Sequence, residues 1–90
     1  MADIDLTHNH TLGKEAARQK ADGVLQSLGA QYGIKGSWSG DVFNITKPVE
    51  GKVTVSDTNV RVELSLGFAM RMMKGKIEEE VKKQLSKALT

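Results

Sequence analysis

The sequence predicts an α+β fold: a two-layer sandwich in which two amphipathic helices cover one face of an antiparallel sheet, in the order β-α-β-β-β-β-α. Residues 60–66 alternate strictly between apolar and polar side chains, which is the period of a strand with one buried face. Residues 11–32 and 73–88 instead carry apolar side chains every three or four positions, as helices with one buried stripe do. Such helices and a half-buried sheet bury their apolar surfaces by stacking in two layers.

The first two elements follow from the opening third of the chain. Ile4 and Leu6 alternate with polar residues, which predicts a short half-buried strand. Thr11 is of a type that caps helix N-termini, and the helix that it would open is expected to run to about Tyr32, since Gly33 is a natural stop. The stripe that this helix buries is predicted to consist of Ala17, Ala21, Val24, Leu25, Leu28 and Tyr32.

Four strands and a second helix complete the order. Gly40 and Asp41 form a credible hairpin turn between the first two of these strands. The strands are predicted over residues 34–39, 42–46, 52–56 and 60–66. The last helix is predicted to bury a stripe made of Met73, Ile77, Val81, Leu85 and Ala88.

Length and composition bound the class of protein. We expect one domain over residues 1–90, with an apolar share of 39% and a charged share of 27%, both ordinary for a globular protein. There is no cysteine, which excludes disulfides, thiol catalysis and thiolate metal sites and fits a reducing cytoplasm. The start of the chain lacks the features of a signal peptide, and no apolar run reaches the length of a membrane span. We therefore expect a cytoplasmic protein without a transmembrane segment.

Catalytic and cofactor chemistry find little support in the residues. His8 and His10 form a His-x-His pair of the kind that binds metals, but a third ligand is not evident nearby, and a structural role at the strand-to-helix junction is the stronger interpretation. Residues 78–80, all Glu, are best explained as a solvated helix face. The scattered glycines match no phosphate-binding pattern. The sequence thus predicts a protein that is not an enzyme and needs no cofactor.

The segment over residues 66–77 holds the candidate interaction surface. It contains every methionine except the first residue, beside a phenylalanine and several basic residues, at the point where a strand pattern gives way to a helix pattern. Methionine is flexible and polarizable, so such a cluster can fill a core gap or form an adaptable binding surface. The predicted surface consists of Phe68, Met70, Arg71, Met72, Lys74 and Lys76. Trp38, the only tryptophan, is expected in the core of the hairpin.

Three segments, in order along the chain, resemble the polyhydroxyalkanoic acid system proteins of bacteria. Residues 10–13 read His-Thr-Leu-Gly, close to the His-Ser-Leu-Gly with which that family opens its first helix. The second segment of the resemblance is Gly51, followed by the valine-rich strands. Residues 66–68 read Leu-Gly-Phe and residues 74–78 read Lys-Gly-Lys-Ile-Glu, similar to the Leu-Gly-Phe and Lys-Gly-x-Ile-Glu of the family.

The resemblance implies a setting at polyester storage granules and carries no catalytic residues. The leading hypothesis is therefore a non-enzymatic accessory protein that binds a granule surface or a granule-associated protein. A small-ligand module that holds a lipid or hydroxyacyl group between sheet and helix is the alternative, with Met side chains lining the pocket. Nucleic-acid binding through the basic last helix is a weaker alternative, because the formal net charge is only +2. Self-association through the Met-rich patch is a further one.

Overall fold

Within the residues that the structure describes, five strands and two long helices follow one another in the predicted order. The structure is a computed structural model and describes residues 3–47, 49–68 and 70–89. The elements are β1 (Ile4–Asn9), α1 (Lys14–Tyr32), β2 (Lys35–Ser39), β3 (Val42–Lys47), β4 (Glu50–Val55), β5 (Asn59–Ser65), a 3₁₀ turn (Arg71–Met73) and α2 (Lys74–Leu89). The predicted α+β class and the order β-α-β-β-β-β-α are confirmed.

The strands form one antiparallel sheet in the order β1-β5-β4-β3-β2. The last four strands in the chain are a meander in which each pairs with the next. β1 pairs instead with β5, so that Ile4 lies opposite Leu64 and His8 lies opposite Val60. Because β1 and β2 occupy opposite edges of the sheet, α1 has to cross the whole sheet to connect them.

Both helices pack on the same face of the sheet. Val53 lies opposite Val62 in the register of β4 and β5, and both side chains are buried under the helices. The opposite face carries exposed or half-buried polar residues such as Lys52, Arg61 and Glu63. The buried cluster joins sheet and helices through Ile4, Ala17, Ala21, Leu25, Ile45, Val53, Val55, Val60, Val62, Leu64, Leu66, Val81, Leu85 and Leu89.

The start of α1 differs from the predicted capping. Thr11 does not cap the helix. Gly13 holds the N-cap position with φ 83°, and as a glycine it offers no side chain for a capping hydrogen bond. The first helical N–H, that of Lys14, donates instead to Asp57 Oδ1 at 3.3 Å, from the turn between β4 and β5. The C-terminal end agrees with the prediction, since Gly33 is left-handed at φ 70° and its N–H donates to the carbonyl of Gly29 at 2.8 Å.

Trp38 attaches α1 to the β2–β3 hairpin, as its predicted place in the hairpin core suggests. Its indole Nε1–H donates to Asp22 Oδ1 at 2.9 Å. The guanidinium of Arg18, one turn earlier on α1, lies 4.4 Å from the centre of the indole ring. Phe43, the cross-strand neighbour of Trp38, packs edge-on against the indole, and the two ring centres are 5.4 Å apart. These contacts compensate for a helix that contains Gly23, which by itself disfavours helix formation by up to about 1 kcal/mol relative to Ala.

Candidate functional site

The connection between β5 and α2 contains the residues predicted as an interaction surface. Leu66 continues the buried side of β5 and is 4% exposed. After it the chain turns at Gly67, whose carbonyl accepts hydrogen bonds from the N–H groups of Met70 at 2.9 Å and Arg71 at 3.1 Å. The 3₁₀ turn follows directly, and α2 begins at Lys74. Local backbone hydrogen bonds therefore shape this connection.

Among the described residues of this connection, Phe68 and Met72 are the strongly exposed apolar side chains, at 92% and 93% exposed. A large apolar side chain in water gains about 1.5–3 kcal/mol when it is fully buried, so each is a ready anchor for a partner surface. Met70 behaves differently, because it is half-buried and packs against the core. The predicted surface is thus divided: two of its apolar members face solvent and the third faces inward.

Met73 is a correction to the predicted core. The sequence pattern placed it at the head of the buried stripe of α2, whereas it is 41% exposed in the structure. The reason is that the 3₁₀ turn includes Met73 and α2 starts one residue later, so the four-residue spacing back from Ile77 does not run along one regular helix. At the other end the stripe finishes on Leu89, which is 5% exposed, while the predicted Ala88 is half-buried.

The basic members of the predicted surface, Arg71, Lys74 and Lys76, are all exposed. Arg71 is partly neutralised, since its Nε lies 3.7 Å from Asp3 Oδ1. Among the described residues, Lys74 and Lys76 have no acidic partner within ion-pair distance. Two uncompensated positive charges therefore follow Phe68 and Met72 along the chain.

An apolar cavity of about 90 Å³ lies between the two helices and the sheet. The predicted alternative of a pocket lined by Met side chains is met by Met70 alone, since Met72 and Met73 are absent from its wall. Tyr32 and Glu80 are the polar residues along the wall, although the surface that faces the cavity is almost entirely apolar. Tyr32 belongs to the predicted stripe of α1 but is 48% exposed, and no periodicity in the sequence pointed to Glu80. The wall consists of Ala21, Val24, Leu25, Leu28, Tyr32, Ile34, Ile45, Val49, Val53, Val62, Leu64, Leu66, Met70, Ile77, Glu80, Val81 and Leu85.

The histidine pair separates into two environments. His8 lies on β1 and is half-buried, whereas His10 follows the strand and is 7% exposed. The ring of His10 bridges two loops: Nε2 lies 2.9 Å from the carbonyl oxygen of Ser56, and Nδ1 accepts from the N–H of Leu12 at 3.2 Å. A carbonyl can only accept, so Nε2 carries the proton and the ring is a structural bridge. Within the described part of the chain, no three His, Cys, Asp or Glu side chains come together as a metal site.

A well-formed ion pair between β1 and β5 lies on the face of the sheet away from the helices. Arg61 donates through Nε to Asp5 Oδ1 at 3.0 Å and through Nη2 to Asp5 Oδ2 at 2.7 Å. The hydrogen bonds from Arg61, and then its charge, lower the pKa of Asp5 below its ordinary value of 3.8. The same hydrogen bonds raise the pKa of Arg61. This ion pair therefore joins β1 to β5, and its effect on the pKa of Asp5 is away from the near-neutral range that acid–base catalysis uses.

Comparison with known proteins adds the family. A family model with the description "Putative polyhydroxyalkanoic acid system protein" matches residues 4–89. The chain belongs to this family. No curated protein and no solved structure matches the chain. In the described part of this family member, neither helix is long and apolar enough to cross a membrane.

Two of the segments that resemble the polyhydroxyalkanoic acid system family lie at junctions of the fold, and Gly51 lies within β4. Residues 10–13 connect β1 to α1, with His10 as the bridge and Gly13 in a conformation, φ 83°, that favours glycine. Gly51 lies where an added Cβ would meet the carbonyl oxygen of Glu63 at 2.5 Å. Residues 66–68 lead from β5 to the exposed Phe68. Structural requirements of this chain thus account for the two glycines and for His10, whereas the exposed Phe68 has no packing role.

Proposed function

We propose that this chain is a non-enzymatic accessory protein of the polyhydroxyalkanoate system that docks on the polyester surface of a storage granule. The docking surface consists of Phe68 and Met72 as apolar anchors with Arg71, Lys74 and Lys76 around them. The observation that carries the proposal is the exposure of the two anchors, 92% and 93%, in a protein whose other apolar side chains are mostly packed. Membership in the polyhydroxyalkanoic acid system family supports the polyester as the partner.

Magnitudes favour a reversible attachment. Burying Phe68 and Met72 contributes about 3–6 kcal/mol together, before the cost of immobilising the protein. Apolar anchors of this size hold a protein at a surface when a basic cluster adds to them, at about 1 kcal/mol for each Lys or Arg near an anionic surface. On a polyester the anionic groups are the carboxylates that end its chains. The two kinds of contact occur in the same connection and the first turn of α2, which is why we assign docking to this end of the molecule.

The test compares binding to protein-free polyhydroxyalkanoate particles and to native granules, by co-sedimentation. The informative variant is Phe68→Ser with Met72→Ser; Met70 is left intact because its side chain packs against the core. Leu12→Ser is the matched control, since Leu12 is also an exposed apolar residue, at 37% exposed, in another connection. We expect the double variant to lose at least about tenfold in affinity for the particles and the control to bind as the unmodified protein does.

A second pair of variants tests the basic members. Lys74→Gln with Lys76→Gln should weaken binding and its salt dependence, whereas Lys82→Gln with Lys83→Gln, exposed on the same helix, should leave both nearly unchanged. Binding to native granules without binding to protein-free particles would transfer the proposal to a granule-associated protein. Equal recovery of the folded Phe68/Met72 variant and the unmodified chain on both materials would overturn it.

A further inference from the structure

We propose that the cavity between the helices and the sheet is a binding site for a short unbranched aliphatic chain attached to a neutral polar group, an ester or an alcohol. The inference goes beyond surface docking, because it concerns the inside of the sandwich and none of Phe68, Met72, Arg71, Lys74 or Lys76 lines the cavity. Either proposal can fail without the other.

The wall of the cavity sets the chemistry of the occupant. Apart from Tyr32 and Glu80, every residue of the wall is apolar. Water needs two to four polar partners to occupy a cavity, and apolar cavities stay dry and take up apolar guests. A guest therefore gains dispersion contacts that neither water nor the empty protein provides there. The occupant that fits such a wall is a hydrocarbon group.

The volume sets the length of the chain. A cavity of about 90 Å³ corresponds to about three water-sized groups at roughly 30 Å³ each, and a methylene group is of similar size. An aromatic ring is a poorer match, since the engineered cavity known to take up benzene has a volume of about 150 Å³. The cavity therefore fits the propyl end of a butyryl group, with the remaining atoms toward its boundary.

The boundary of the cavity sets the polar end. Tyr32 is 48% exposed, so the wall reaches solvent where α1 ends. Glu80, half-buried on α2, accepts a hydrogen bond from Gln84 Nε2 at 3.2 Å, and the surface that the wall presents to the cavity is almost entirely apolar. A free carboxylate on the ligand would lose its hydration against this apolar surface with no partner to replace it, whereas an ester or a hydroxyl is neutral and loses far less. The site should consequently select neutral derivatives over free acids.

Met70 supplies an adaptable part of the wall. It is half-buried, directly precedes the 3₁₀ turn, and follows the exposed Gly67 and Phe68. An unbranched thioether side chain reaches several conformations at small cost, so it can follow the shape of different short chains. Most of the remaining wall comes from the sheet and from both helices, with Ile34, Val49 and Leu66 contributed by connections.

The experiment is a titration followed by the methyl resonances of the wall, with three probes: methyl butyrate, methyl 3-hydroxybutyrate and sodium butyrate. We expect both esters to shift the methyl signals of residues such as Val53, Val62 and Val81 saturably. Sodium butyrate should bind at least about tenfold more weakly, because its carboxylate would be desolvated beside an apolar wall. Xenon serves as a probe of the cavity itself, since it enters dry apolar cavities irrespective of polar groups.

Two matched pairs of valines provide the control for location. Val53 on β4 and Val62 on β5 line the cavity, whereas Val55 and Val60, two positions along the same strands and equally buried, do not. The double variant Val53→Ile with Val62→Ile adds a methylene at each site and should weaken methyl butyrate binding at least about fivefold. Val55→Ile with Val60→Ile, if folded, should bind as the unmodified chain does.

The proposal is overturned if xenon shifts the wall but neither ester does, or if the shifts persist in the Val53/Val62 variant. Equal binding of butyrate and its methyl ester to the unmodified protein would likewise refute the selection of neutral ligands.

Discussion

Asp3 and Leu66 are 63 positions apart in the sequence, yet the carboxylate Oδ2 of Asp3 accepts the backbone N–H of Leu66 at 2.7 Å. The other oxygen of the same carboxylate lies 3.7 Å from Nε of Arg71. The residue just before β1 thus fixes the point at which the chain leaves β5 and the first basic residue of the proposed docking surface. The presentation of Phe68 and Met72 depends in this way on the opposite end of the sequence.

Asp3→Ala should destabilise the protein by about 1–3 kcal/mol, because the half-buried N–H of Leu66 loses a charged acceptor. Asp3→Asn keeps an acceptor oxygen and should cost less than half as much. Urea unfolding gives the free energies, and amide hydrogen exchange at Leu66 should accelerate in the Ala variant before the rest of β5. Equal stability of the Ala variant and the unmodified chain would show that this carboxylate contributes nothing.

Trp38 and Asp22 should be energetically coupled. The charge-assisted hydrogen bond between Nε1–H and the carboxylate predicts a coupling energy of about 1–2 kcal/mol in a double-mutant cycle of Trp38→Phe and Asp22→Ala. Trp38→Phe also weakens the contact with Arg18, but that effect cancels in the cycle. A coupling below about 0.3 kcal/mol, the usual error of additivity, would contradict the prediction.

The Asp5–Arg61 pair should make part of the stability dependent on acid. Because the folded-state pKa of Asp5 is lowered from 3.8, its stabilising contribution is complete above the unfolded value and is lost as the pH falls through the lower, folded value. Asp5→Asn has no such proton to bind. We therefore expect the urea midpoints of the two proteins to differ by a constant amount above about pH 5 and to converge toward about pH 2. A gap that stays constant over the whole range would disprove this assignment.

Two glycine-to-alanine changes should act in opposite directions. At Gly51 an added Cβ would lie 2.5 Å from the carbonyl oxygen of Glu63 and 2.7 Å from Cδ2 of Leu64, so Gly51→Ala should cost about 1–3 kcal/mol. At Gly23, in the middle of α1, nothing lies within 4 Å of an added Cβ, and Gly23→Ala should stabilise by up to about 1 kcal/mol. Thermal unfolding of both variants measures the two signs. A destabilised Gly23→Ala protein would mean that this position packs more closely than the structure shows.

Periodic and local features of the fold could be predicted from the sequence. The alternation from Val60 to Leu66 identifies β5 and its buried face, because successive side chains of a strand point to opposite faces of the sheet. Gly33 predicted the end of α1 correctly, since a left-handed residue at a helix end depends only on its neighbours. The segment that carries Phe68 and Met72 was found from composition alone, and its assignment as a docking surface stays a prediction.

Features that depend on distant contacts could not be predicted. The first N–H of α1 donates to Asp57, 43 positions away. The prediction of Thr11 as the N-cap was therefore wrong, because the acceptor comes from a distant turn. Met73 followed the helical spacing but fell on the 3₁₀ turn, where that spacing no longer applies. Met70 and Met72 are two residues apart with the same side chain, and only the tertiary packing turns one inward and the other outward.

The single tryptophan of the chain is a built-in spectroscopic reporter. All indole fluorescence originates from Trp38, whose ring contacts Arg18 and Asp22 of α1 and Phe43 of β3. Its emission therefore reports whether α1 is seated on the β2–β3 hairpin, with no label and no background from a second indole. Helix α1 also forms one wall of the cavity through residues such as Val24 and Leu28. A ligand that enters the cavity and tilts this helix would shift the wavelength of the Trp38 fluorescence.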